Sequence, residues 1–160
     1  MVTDILKILE NDARTTARQI AAMTGAPQAE VTRLVRQAQK DGTILKYKAI
    51  INWDKVEDEH VSAVIEVKLT PQKDVGFDSI AERIYRFPQT CSVYLVSGTY
   101  DLFVLVVGKN SHEIADFVSQ KLSHIEGVQG TVTQFVLKRY KEDGVIVEGK
   151  EEVKRQPVML

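Results

Sequence analysis

The chain has 160 residues, 44% hydrophobic and 27% charged, with a net charge of −1, a composition of a soluble globular protein with room for one domain or two small ones. No apolar run reaches the roughly 18 residues that a membrane span needs, and the opening MVTDILKILE has acids and no small-residue cleavage site, so no secretory signal is expected. The single cysteine, Cys91, excludes an internal disulfide and points to a reducing cytoplasm.

The net charge hides an asymmetry. Residues 1–52 hold eight Lys/Arg against five acids, +3, and the remainder carries −4. A basic head on an acidic body fits nucleic-acid binding by the head alone.

A first helix is expected where Ile5, Leu6, Ile8 and Leu9 form an apolar stripe, with Asn11 and Asp12 as its stop. Thr16, followed three residues later by Gln19, is a capping-box pattern for a second helix with Ile20, Ala21 and Met23 inward. Gly25 ends it. A third helix is expected to take Pro27 as its first helical residue, where the missing N–H has no partner anyway. Its inward residues are Val31, Leu34, Val35 and Ala38, and Asp41-Gly42 closes it.

Two helices joined by so short a turn read as a helix-turn-helix, whose second helix enters the major groove of DNA. Gln28, Thr32, Arg33, Arg36 and Lys40 are its candidate contacts. Arg pairs with a guanine edge or a phosphate, and Gln with adenine. Residues 44–52, ILKYKAIIN, are rich in β-formers and predict a strand or small wing, with Lys46 and Lys48 facing phosphate. The residues alone also admit a three-helix bundle whose basic face is merely solvated.

After a charged connector over 54–60, VSAVIEVKLT alternates, with Val61, Ala63, Ile65, Val67 and Leu69 on one face and Glu66 and Lys68 on the other. That is a half-buried strand. A helix follows on Phe77, Ile80, Ala81 and Ile84. Strands are expected over 92–96 and 102–107, around SGTYD. A helix over 112–125 turns Ile114, Ala115, Phe117, Val118, Leu122 and Ile125 inward, and a last strand covers 131–137. The order βαββαβ gives a split βαβ sandwich with both helices on one sheet face. The other face, with Val64 and Tyr94, is left for solvent or for a second copy.

The turn Gly98-Thr99-Tyr100-Asp101 is the one polar constellation in this half with chemistry to offer. Gly98 lets backbone N–H groups approach a carboxylate, and Asp101 can accept from an ammonium. Together they suit a free amino acid. An ordinary hairpin turn uses the same residues for conformational reasons, and both readings stand at this point.

From residue 4 to about residue 141 the chain resembles the Lrp/AsnC (feast/famine) family of bacterial and archaeal transcription regulators. The likeness is carried by DILKILENDAR (4–14), RQIA (18–21), GTI (42–44), SGTYDL (97–102) and TVTQFVL (131–137), in that order and spacing. The resemblance implies an α+β fold: a winged helix-turn-helix, then a ferredoxin-like βαββαβ ligand-sensing (RAM-type) domain. It implies a homodimer through that domain, assembled further as an octamer, a tetramer of dimers. It also implies an amino-acid effector wedged between dimers at residues 98–101, with Thr131 and Thr133 of the facing dimer as neighbours. The chain departs from the family pattern at Ala26, which has no capping side chain, at Leu34, where an Arg is usual, and at Ala38, where a larger apolar residue is usual.

The expected organisation is a DNA-binding domain over 1–52, a linker over 53–60, an effector and oligomerisation domain over 61–141, and an extension over 142–160. In that extension 145–147 predicts a short strand, and 157–160 is placed to dock on a neighbour. His60, His112, His124 and Cys91 have no metal-ligand spacing, and no phosphate loop or nucleophile motif occurs, so neither a metal, a cofactor nor an enzyme is expected. The expected partners are double-stranded DNA and a small amino acid. The rival readings are an amino-acid-binding module acting on a protein partner, and a DNA-binding regulator without an effector.

Overall fold

A computed structural model describes residues 1–56, 60–70 and 76–147. It divides into two compact units, Met1–Ile50 and Ile51–Leu160.

The N-terminal unit holds α1 (Val2–Asn11), α2 (Ala17–Thr24) and α3 (Gln28–Lys40). Ile5, Leu9, Ile20 and Val31 form its core, with Ile8, Leu34, Val35 and Ile44 packed against them. The capping box forms as expected: Thr16 accepts from the Gln19 N–H, and the Gln19 side chain accepts from the Thr16 N–H at 2.8 Å. Gly25 closes α2 at φ 72°, a left-handed conformation that glycine adopts without a Cβ penalty.

Three expectations for this unit are corrected. Pro27 lies just outside α3 rather than opening it. Its ψ of 135° is extended, while its carbonyl accepts from Glu30 and Val31, so it flanks the helix as a cap. Met23 is 66% exposed rather than inward, because Ala17, Ile20 and Ala21 form the packed stripe and Met23 falls beside it. Residues 45–50 form no strand. The β-formers are present, but a strand exists only against a partner, and none lies beside this segment among the described residues. Tyr47 is tied to α3 instead, its hydroxyl accepting from Gln39 Nε2 at 3.2 Å.

The C-terminal unit opens with a single 3-10 turn, Trp53–Lys55, then β1 (Val61–Leu69), α4 (Phe77–Tyr85), β2 (Thr90–Leu95), β3 (Leu102–Gly108), α5 (Ser111–Gln120), a second 3-10 turn (Leu122–His124) and β4 (Val128–Phe135). The strands form one antiparallel sheet in the order β2-β3-β1-β4. This is the split βαβ arrangement. Alternation along β1 puts Ala63, Ile65, Val67 and Leu69 against Ile80, Ile84, Ile114 and Phe117 of α4 and α5, all buried. Gly127, at φ 94°, lies so close to α4 that a Cβ there would meet Ile80 Cδ1 at 2.5 Å.

The helix expected over 112–125 stops at Gln120, and a 3-10 turn continues. In a three-residue turn, positions three apart eclipse, which keeps both Leu122 and Ile125 buried. Ala115 is exposed rather than inward, since Ile114, Phe117 and Val118 already fill the packed side. The opposite sheet face has no helix. Val64 and Leu105 are half-buried there, and Tyr94, Phe103 and Val132 are exposed.

After β4, a small hairpin pairs β5 (Lys141–Glu142) with β6 (Val145–Ile146) around Asp143-Gly144, both at positive φ. The strand expected near 145–147 is β6. Residues 157–160, expected to dock on a neighbour, lie outside the described residues.

Candidate nucleic-acid interface and ligand loop

Helix α3 owes its two faces to periodicity. Val31 and Ala38 are buried, and Leu34 and Val35 partly so. Arg33, Arg36 and Lys40, at spacings of three and four, fall on the opposite stripe and are exposed. Among the described residues none of the three forms an ion pair. Three cations on one helical stripe, uncompensated by carboxylates, suit a polyanion.

Gln28 is the first residue of α3 and is exposed. Thr32 is half-buried, and its hydroxyl donates to the Gln28 carbonyl at 2.9 Å, so its lone pairs rather than its proton are available outward. Lys46 and Lys48 are exposed on the segment after α3.

The loop 97–101 joins β2 to β3, with Gly98 at φ 154°, where a side chain is strained. Ser97, Gly98 and Thr99 are exposed, and Tyr100 and Asp101 half-buried. Asp101 is fixed from three sides. Its N–H donates to Val67 at 3.0 Å, its carbonyl accepts from Val96 at 2.9 Å, and its Oδ2 accepts from the Leu69 N–H at 2.8 Å. The Leu69 bond and the Lys68 ammonium, 3.4 Å from Oδ2, hold the Asp101 carboxyl below its ordinary pKa, against an opposing effect of burial.

Thr131 and Thr133 pair with Val67 and Ile65, so they share the helix-covered face and are half-buried. Lys68, flanked by buried Val67 and Leu69, leaves on the uncovered face and meets Asp101 there. The two threonines therefore lie at the same end of the sheet as the loop, across Val67 from Leu102, but not on the Asp101 side. Within one copy they do not join Asp101. Lys68 is the neighbour that sequence reasoning missed. Its signal was visible, a cation in the third-last position of VSAVIEVKLT, but alternation marks it only as outward.

A winged helix-turn-helix DNA-binding model matches residues 3–44, and an Lrp/AsnC ligand-binding-domain model matches residues 62–146. The chain belongs to the Lrp/AsnC family. It is 46% identical to the HTH-type transcriptional regulator YugG of Bacillus subtilis over 154 residues, 96% of this chain and 93% of that one. Among solved structures it resembles the leucine response regulatory protein LrpA of Mycobacterium tuberculosis, with TM-score 0.73, 22% identity, and 92% and 97% of the two chains covered. It also resembles a Neisseria meningitidis transcriptional regulator solved as its L-Met complex, with TM-score 0.69, 23% identity, and 88% and 90% covered.

This Lrp/AsnC member is therefore a DNA-binding transcription regulator with a ligand-binding domain, and its relatives are regulators rather than enzymes. No helix among the described residues is long and apolar enough to cross a membrane. Among those residues no group of three or more His, Cys, Asp or Glu could hold a metal ion.

Proposed function

We propose that this regulator binds duplex DNA through α3, as a cytoplasmic homodimer reading two half-sites, and that a small α-amino acid tunes its assembly or its DNA affinity. Arg33, Arg36 and Lys40, with Gln28 and Thr32 beside them, face the groove, and Lys46 and Lys48 touch phosphate. The uncovered sheet face, with Tyr94, Phe103 and Val132 exposed, supports pairing of two copies sheet to sheet. The resemblance extends this to an octamer.

One observation carries the effector reading. Asp101 is pinned to the end of β1 by two hydrogen bonds, and a third, from Val96, closes the glycine-bearing loop before it, an ordered polar site in a unit matched by a ligand-binding domain. Backbone N–H groups of 98–100 would take the effector's carboxylate and Asp101 its ammonium. Thr131 and Thr133 of a facing dimer would lie near. The L-Met complex of the Neisseria relative supports an amino acid as the class of ligand.

A thermal-shift panel of the standard amino acids tests this. A ligand at one hundred times its dissociation constant stabilises the native state by about 2.7 kcal/mol, enough to raise the melting temperature measurably. Light scattering tests assembly, and a monomer at micromolar concentration rules the dimer out. One observation favours a second reading, a regulator without an effector: the Asp101 carboxylate already has partners in Leu69 and Lys68. A panel in which no amino acid shifts the melt decides for it.

A further inference from the structure

Beside Asp101 stands a second charge, on the end of β1. Lys68 Nζ stands 3.4 Å from Asp101 Oδ2, and the two side chains are 39% and 20% exposed, so each is open to a ligand. Strand alternation and the buried Val67 and Leu69 place Lys68 there, while the Leu69 N–H fixes Oδ2 independently. A partly exposed Lys–Asp pair contributes little to fold stability. The loop is held by backbone hydrogen bonds and does not need Lys68.

An α-amino acid in water near neutral pH carries an ammonium and a carboxylate on one carbon. Asp101 alone would attract the ammonium and repel the carboxylate. A cation beside Asp101 cancels that repulsion and supplies the carboxylate with a charge-assisted donor. We propose that Lys68 joins the backbone N–H groups of 98–100 in reading the effector's carboxylate, and that the Lys68–Asp101 pair selects zwitterions over simple amines and 2-oxo acids. The proposal rests on the effector reading above and specifies the ligand's charge pattern.

Calorimetric titration of the full-length protein tests it. The ligands are the amino acid that gives the largest thermal shift, its decarboxylated amine, and its 2-oxo acid. In the wild type the amino acid binds most tightly. Lys68→Met should weaken it about tenfold or more, the loss expected for one charged hydrogen bond. The amine should bind Lys68→Met as well as or better than the wild type, because Asp101 loses its internal cation. Lys68→Arg should stay within a few-fold of the wild type. A merely structural role for Lys68 would weaken amine and amino acid together. If Lys68→Met binds the amino acid as the wild type does, or loses both ligands equally, Lys68 does not read the carboxylate and the effector reading survives without it. If the wild type binds no amino acid at all, both fall.

Discussion

The N-terminal and C-terminal units place functional groups in different ways. In the first, the three candidate cations are exposed side chains on one stripe of a helix whose other stripe is packed. Arg33, Arg36 and Lys40 need only α3 to be helical and Val31 to be buried. In the second, Asp101 is held by Val67 and Leu69, more than thirty residues away in sequence, and exists as a site only after β1 and β3 have paired. The cores differ in the same sense. Few side chains close the helical unit, which rests on Ile5, Leu9, Ile20 and Val31. The sheet unit is filled from four strands and two helices. The candidate DNA contacts thus depend on local structure, whereas the ligand loop depends on tertiary structure.

The strongest break of that comparison is a core deletion in each unit. Ile65→Ala, at a fully buried position in the central strand β1, should cost about 2–5 kcal/mol. It should shift the denaturant transition reported by the fluorescence of Trp53, the single tryptophan, which lies in the C-terminal unit. Ile20→Ala, on the same scale, should instead lower the helical signal in circular dichroism and abolish DNA binding while Trp53 keeps its transition. Coincident transitions in both variants would mean that the units fold as one, and the comparison would fail.

Gly127→Ala sharpens the tertiary half. The new Cβ would meet Ile80 Cδ1 in the buried core, at a positive φ that also strains it, for a loss of about 1–3 kcal/mol on thermal melting. A neutral result would mean that α4 gives way freely.

Arg36→Ala, and separately Arg33→Ala, should weaken DNA binding by about 1–3 kcal/mol if the side chain reads a base, with no change in melting temperature. Fluorescence anisotropy over a salt series checks it. Loss of a phosphate contact would instead lower the salt slope uniformly across sequences. Thr16→Ala should cost about 1 kcal/mol, since the Gln19 N–H loses its hydroxyl acceptor while the Thr16 N–H keeps the Gln19 side chain.

These cases also show how far the sequence could be read. The caps at Thr16 and Gly25, the alternation of β1 and the order βαββαβ are local or periodic signals, and the structure carries them. The strand expected over 44–52 needed a partner that no local pattern supplies. Met23 and Ala115 were apolar enough for a core, but lie just outside stripes that other residues fill. Asp101 was legible as a candidate through its turn, and Lys68 was not, because only the pairing of β1 with β3 brings the two together.

The smallest expected effect is on pH dependence. The Asp101 carboxyl is lowered in the folded state, first by the Leu69 N–H and then by Lys68. A depressed folded pKa contributes stability that is present above the unfolded value and is lost as pH falls through the folded one. The loss belongs below the ordinary value of 3.8. Asp101→Asn keeps an acceptor for Leu69 but not the charge, so it should lose a little stability at neutral pH, approach the wild type at acid pH, and flatten the acid limb between. An unaltered acid limb would remove Asp101 from the set of groups that titrate with folding.

The most direct test of the account is DNA affinity measured with and without each standard amino acid, on the wild type and on Lys68→Met. The account predicts that at least one amino acid changes the dissociation constant for DNA several-fold in the wild type. It predicts that Lys68→Met binds DNA normally in the absence of ligand, and needs about ten times more of that amino acid for the same change. A DNA affinity that no amino acid alters, in a wild type whose melting temperature also stays fixed, would contradict it.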